Sequence, residues 1–126
     1  MGARVVQRYV LDQIPDERLR LYVVWLPFHP LDIRDRAKEA TLLLDDPRVR
    51  HFWAANLGLP EVYKAQLKLK DSVAWDVFLI YPAGATWTEP APVPGRLMHN
   101  LAELPDAQRL DGLSLGKDLM QMLARQ

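Results

Sequence analysis

Apolar positions recur along this chain with two different periods, and the switch between them marks its elements. Val6, Val10 and Ile14 repeat every four residues with Tyr9 beside them, which predicts a helix from Ala3 to Ile14. Pro15 and Asp16 end it, since proline cannot continue the hydrogen-bond ladder. The next run, LRLYVVWL (Leu19 to Leu26), is continuous, β-branched and aromatic. Such a run predicts a strand covered on both faces, as in a parallel sheet. PFHPLD then reads as a loop, because two prolines so close together cannot sustain a ladder.

Asp32 is placed to cap a second helix, with Asp35 adding negative charge to its first turn. Ile33, Ala37, Ala40 and Leu44 form its apolar face, and Asp45 to Pro47 close it. In RVRHFW, Val49, His51 and Trp53 alternate with Arg50 and Phe52, the pattern of a short strand. A third helix follows, with Pro60 near its start and Val62, Leu67 and Leu69 inward. Val77 to Tyr81 is the clearest strand, and Pro82 and Gly84 mark the turn after it. TEPAPVPG predicts an extended surface loop, and Arg96 to Leu101 the returning strand of a hairpin. A last helix takes Ser114 as its cap and Leu115, Leu119, Met122 and Leu123 as its apolar stripe. The predicted order is helix, strand, helix, strand, helix, strand, strand, helix: an α/β chain.

Composition narrows the function classes. At 126 residues, 49% hydrophobic and 25% charged, the chain has the size and balance of one folded domain. Its formal net charge is zero and its pI about 6.8, so no basic footprint suggests a nucleic acid or an anionic membrane. No apolar run is long enough to span a bilayer, and no signal core follows the N-terminus, which predicts a cytoplasmic protein without a membrane partner. Cysteine is absent. Disulfides, thiolate nucleophiles, cysteine-ligated metals and dithiol redox chemistry are thereby excluded within this chain.

QIPDERLRLYVVWLPFHPLD, DDPRVRHFW, AWDVFLIYPAGATW and RLMHNL together resemble a group of bacterial thioredoxin-like proteins of poorly defined role. The pair Trp75-Asp76 and the pair Met98-His99 are their most distinctive parts. The resemblance implies a thioredoxin-like sandwich lacking its first strand and its Cys-x-x-Cys motif, both of which would lie upstream of Met1. Ser72 to Trp75 occupy the place where that fold usually carries a cis-proline. Redox activity is therefore not carried over. A missing central strand would leave LRLYVVWL and VFLIY without their common partner. The open edges would then close by direct pairing, by another segment, or in a homodimer with exchanged elements.

Candidate site residues are few. Trp25, Phe28, His29, Trp53 and Trp87 are placed to line an aromatic pocket, the kind of wall that suits a small-molecule ligand. Trp75-Asp76 stands at the mouth of the clearest strand, where open α/β sheets place ligand contacts. His29, His51 and His99 have no metal spacing, and no metal or other cofactor is expected. Arg48, Arg50 and His51 form a short basic cluster that would suit an anion. Neither serine lies in a nucleophile motif, and the glycines form no phosphate loop. The first reading is a non-redox binding module of unknown ligand, homodimeric, of the kind a free-standing gene cassette encodes. The alternatives are a small-molecule or metal-binding enzyme using His51, Asp76 and His99, and a fragment of a thiol-disulfide protein whose cysteines lie upstream.

Overall fold

The computed structural model describes residues 2–27 and 34–126. Its elements follow the predicted order. Helix α1 (Gly2–Val6) runs into a π-helical turn (Gln7–Leu11). Strand β1 (Leu21–Trp25), helix α2 (Arg34–Thr41) with a 3₁₀ turn (Leu42–Leu44), and strand β2 (Val49–Trp53) come next. Helix α3 (Gly58–Gln66), strands β3 (Val77–Ile80) and β4 (Arg96–His99), a 3₁₀ turn (Asp106–Gln108) and helix α4 (Gly112–Ala124) complete the chain. The contacts gather into two compact units. One holds the chain up to Leu57 with Gly112–Arg125, the other Gly58–Asp111. The chain is mixed α/β, and among the described residues its strands form two two-stranded sheets. Among the described residues no helix is long and apolar enough to cross a membrane.

In the first unit β1 and β2 pair in parallel, with Leu21 opposite Val49 and Trp25 opposite Trp53. The apolar run of β1 is not covered on both faces. Tyr22 is 65% exposed, and its ring lies 6.3 Å from that of the exposed Phe52 on the same face. The first helix also departs from a plain α-helix. Asp12 N–H reaches back to Gln7 C=O (2.9 Å), a widened turn that brings Leu11 into the core beside Val6, Val10 and Ile14.

Helix α4 crosses the π turn at its two glycines. A Cβ on Gly116 would stand 2.6 Å from the Tyr9 carbonyl oxygen, and one on Gly112 would stand 2.6 Å from Tyr9 Cγ. The helices approach this closely only because neither position has a side chain. Helix α4 begins at Gly112, so Ser114 lies inside its first turn instead of capping it. The predicted stripe is in place: Leu115 is buried and Leu119, Met122 and Leu123 are half-buried. The cap at Asp32 lies outside the described residues.

The second unit packs Tyr63, Leu69, Ala74, Ala91 and Leu101 into a core, with Leu59, Leu67, Val77, Leu79 and Leu104 against it. Val62 is 43% exposed, against expectation, because the buried face of α3 runs through Leu59, Tyr63 and Leu67 at helical spacing. The helix ends in paired bonds, Lys68 N–H to Ala65 C=O (3.2 Å) and Leu69 N–H to Lys64 C=O (3.0 Å), with Lys68 at φ +57°. That is a Schellman closure with lysine at the position glycine usually holds. β3 and β4 form the predicted antiparallel hairpin, Val77 opposite His99 and Ile80 opposite Arg96.

Candidate functional site

The strand alternation of β1 and β2 places Trp25, His51 and Trp53 on one face of the first sheet, opposite the Tyr22–Phe52 face. Trp25 Nε1–H donates to His51 Nδ1 (3.1 Å), and the two rings stack with centroids 6.1 Å apart. An acceptor Nδ1 places the ring proton on Nε2, which therefore donates to the Leu44 carbonyl (3.1 Å). Both ring nitrogens of this neutral histidine are thus engaged, and they tie β1, β2 and the turn after α2 together. His29 and Phe28 lie outside the described residues.

Arg48, Arg50 and His51 do not converge. Arg48 grips Asp46 through Nε and Nη2 (2.9 and 2.8 Å) and donates to the Leu11 carbonyl (2.9 Å) and to that of Ile14. This guanidinium closes the C-terminal end of the π turn, where free carbonyls concentrate negative charge. Its hydrogen bonds to Asp46 hold the carboxyl below its ordinary range, while Asp46 raises Arg48. Arg50 is exposed on the face opposite His51, because successive strand residues alternate.

Trp75, Asp76 and His99 belong to the second unit. Trp75 is 49% exposed. Asp76 sits at φ +51°, in the left-handed region that costs a non-glycine residue free energy. It accepts Asn100 Nδ2–H at Oδ2 (3.0 Å) and Asn100 N–H at its backbone carbonyl (3.1 Å), closing the open end of the β3–β4 hairpin. His99 is fully buried. Its Nδ1 accepts Leu101 N–H (3.0 Å), so Nε2–H donates to the Pro105 carbonyl (2.8 Å), and the ring pins the turn after β4.

Two arrangements in this unit have no forerunner in the sequence reading. Tyr81 donates its hydroxyl proton to the Pro92 carbonyl (3.2 Å) and accepts that of Tyr63 (3.0 Å), while Trp87 meets Tyr63 edge to face at 5.8 Å. Burial, and then the bond to Tyr81, push the Tyr63 phenol well above its ordinary range. The aromatic partner of Trp87 is thus Tyr63. Glu103, in turn, accepts three successive backbone N–H groups, from Lys70 (2.5 Å), Asp71 (3.0 Å) and Ser72 (2.6 Å). Those donors bring its carboxyl down to about 2. Neither is legible in sequence, because each joins residues at least eleven apart, and the Pro92 carbonyl and the amides of Lys70, Asp71 and Ser72 carry no sequence signature.

An open groove of about 640 Å³ in the first unit is lined by Ile14, Pro15, Asp16, Arg18, Met120 and Leu123, none of them a predicted site residue. Its rim carries the Asp16–Arg18 ion pair (2.7 Å), whose hydrogen bonds hold Asp16 at about 2. Among the described residues no three His, Asp or Glu side chains are grouped to hold a metal ion. Comparison with protein-family models, with curated proteins and with solved structures found no match.

Proposed function

We propose that the chain is a non-redox, thioredoxin-like binding module that works as a homodimer. The element order supports the fold, as does the contrast of a parallel pair, β1–β2, with an antiparallel pair, β3–β4. In a thioredoxin-like sheet those two pairs flank a central strand. The observation that carries the binding role is the state of the strand edges. Among the described residues β1 (LYVVW) and β3 (VFLI) each pair on one side only, and neither strand contains a charged residue, whereas β2 contains Arg50 and β4 contains Arg96. Uncharged apolar edges pair readily with another chain, and strands that stay unpaired are blunted by charge. The cysteine-free composition removes thiol chemistry, and His51 and His99 spend both ring nitrogens inside their own units. Those bonds favour an interaction module over an enzyme built on the two histidines.

Light scattering across a wide concentration range tests the reading, with twice the 14.5 kDa of one chain as the expected mass. A monomer throughout would refute the dimer. A thermal-shift series with divalent metals and common metabolites tests the rest, because a native-state ligand raises stability by mass action. Stabilisation that disappears in His51→Gln or His99→Gln would turn the assignment toward a ligand-dependent enzyme.

A further inference from the structure

We infer that the homodimer forms by antiparallel pairing of β1 with β1 of a second copy, about a twofold axis at Val23. The inference rests on the dimeric reading above and names its surface. Leu21 N–H donates to the Arg48 carbonyl (3.0 Å) and Ala54 N–H to the Trp25 carbonyl (2.9 Å). In a parallel ladder with this register, Leu21, Val23 and Trp25 turn their backbone groups toward β2. Tyr22 and Val24 therefore turn theirs to the other side. Among the described residues no backbone group pairs with that side.

This edge is self-complementary. Tyr22 and Val24 lie symmetrically about Val23, so an antiparallel partner sets Tyr22 opposite the second copy's Val24 and Val24 opposite its Tyr22. Each pair exchanges two N–H···O=C bonds, and every open group of the two residues is satisfied. The side chains agree with the backbone. No charge lies within Leu21–Trp25, so no like charges meet across the axis. Tyr22, 65% exposed, gains a β-branched cross-strand neighbour, a favourable pairing. The half-exposed Phe52 extends the same apolar face.

The other edges fit less well. Val49 N–H on the outer side of β2 is taken by the Asp46 carbonyl, and the His99 carbonyl on the outer side of β4 by Leu110 N–H. β3 shares the open-edge geometry, but its four side chains are already half-buried or buried, so pairing there covers less new apolar surface.

Two variants test the register. Val24→Pro removes an N–H that β2 does not use and sets a ring on the open edge. It is expected to give a monomer by light scattering with native circular dichroism retained. In the absence of any other cysteine, Val23→Cys places one thiol from each copy at the axis, in a non-hydrogen-bonded pair about 4.5 Å apart at Cα, within disulfide range. Mild oxidation with diamide should link it into a covalent dimer at least tenfold faster than Leu113→Cys on the exposed face of α4. A dimer that survives Val24→Pro and leaves Val23→Cys unlinked would overturn the β1 interface while sparing the homodimer. A native chain that is monomeric at every concentration would overturn both.

Discussion

Substituting alanine for Gly116 should destabilise the first unit even though alanine is the better helix former. The new Cβ would stand 2.6 Å from the Tyr9 carbonyl oxygen, closer than real Cβ contacts come, and that neighbour is backbone, held by the π turn. Relief requires α4 to lift from Gln7–Leu11, which loosens Leu115 against the core. Overpacking of this kind costs about 2–3 kcal/mol. The helix-propensity gain of alanine over glycine returns about 1 kcal/mol. The net loss is about 1–2 kcal/mol. An unfolding entropy of about 2.1 cal/mol/K per residue, over a chain of this length, converts that to a fall in Tm of roughly 4–8 °C. Differential scanning calorimetry of Gly116→Ala reads it, with Lys117→Ala on the exposed side as a control expected within about 0.5 kcal/mol. A second comparison separates backbone from side chain. Gly112→Ala meets the ring of Tyr9, so in a Tyr9→Ala background its penalty should vanish, while that of Gly116→Ala should persist. An unchanged or raised Tm for Gly116→Ala, or loss of its penalty in the Tyr9→Ala background, would refute the close crossing.

Other consequences can be measured directly. His51→Ala leaves the Trp25 indole and the Leu44 carbonyl without their partner, and should cost about 1–3 kcal/mol in urea unfolding with a change in the near-ultraviolet Trp signal. Lys68→Gly should stabilise by about 0.5–1 kcal/mol, because glycine adopts φ +57° without the left-handed penalty; a loss in the same assay would contradict the Schellman closure. The Glu103 carboxyl titrates at about 2 when folded, below its ordinary 4.5, so the unfolded state takes up protons first as the pH falls. Its contribution is complete above pH 4.5 and drains away between there and about 2. Glu103→Gln should therefore flatten the acid limb of stability against pH, and an unaltered limb would exclude the three-amide grip.

How much of this was legible in the sequence depends on the range of the interaction. Element order follows from local period: the alternation in Val49 to Trp53 and the apolar run of Val77 to Ile80 lie where expected, and the spacing of Val6 and Val10 marks the first helix, which ends at Leu11 instead of reaching Ile14. Helix faces were legible where the stripe was long, as at Leu115, Leu119, Met122 and Leu123, and misread in short α3, where Val62 and Tyr63 compete for the core one residue apart. The width of the Gln7 turn was not legible, since inserting one extra residue leaves the apolar spacing of its neighbours nearly intact. Nor was the role of Gly112 and Gly116, which look scattered until α4 is laid across Tyr9.

The candidate site shows the same division, with a chemical reason behind it. Trp25, His51 and Trp53 are candidates by residue type, and period-two alternation brings them to one face. What residue type cannot reveal is whether a histidine's nitrogens are already spent. In both described histidines one nitrogen accepts from the chain's own N–H and the other donates to a backbone carbonyl, which requires a neutral ring and consumes it as a fastener. Arg48 follows the same logic: a cation that would suit an anionic ligand is drawn to the carbonyl end of a helix that the fold itself provides. The polar side chains chosen for reactivity are therefore those the two small units use most heavily to hold their turns. Among the described residues, open backbone groups stand along the uncharged strand edges, at Tyr22 and Val24 on β1 and, by the alternation of an antiparallel ladder, at Val77 and Leu79 on β3. In the homodimer proposed above, recognition is a matter of strand pairing, whose specificity comes from register and from the side chains beside the edge.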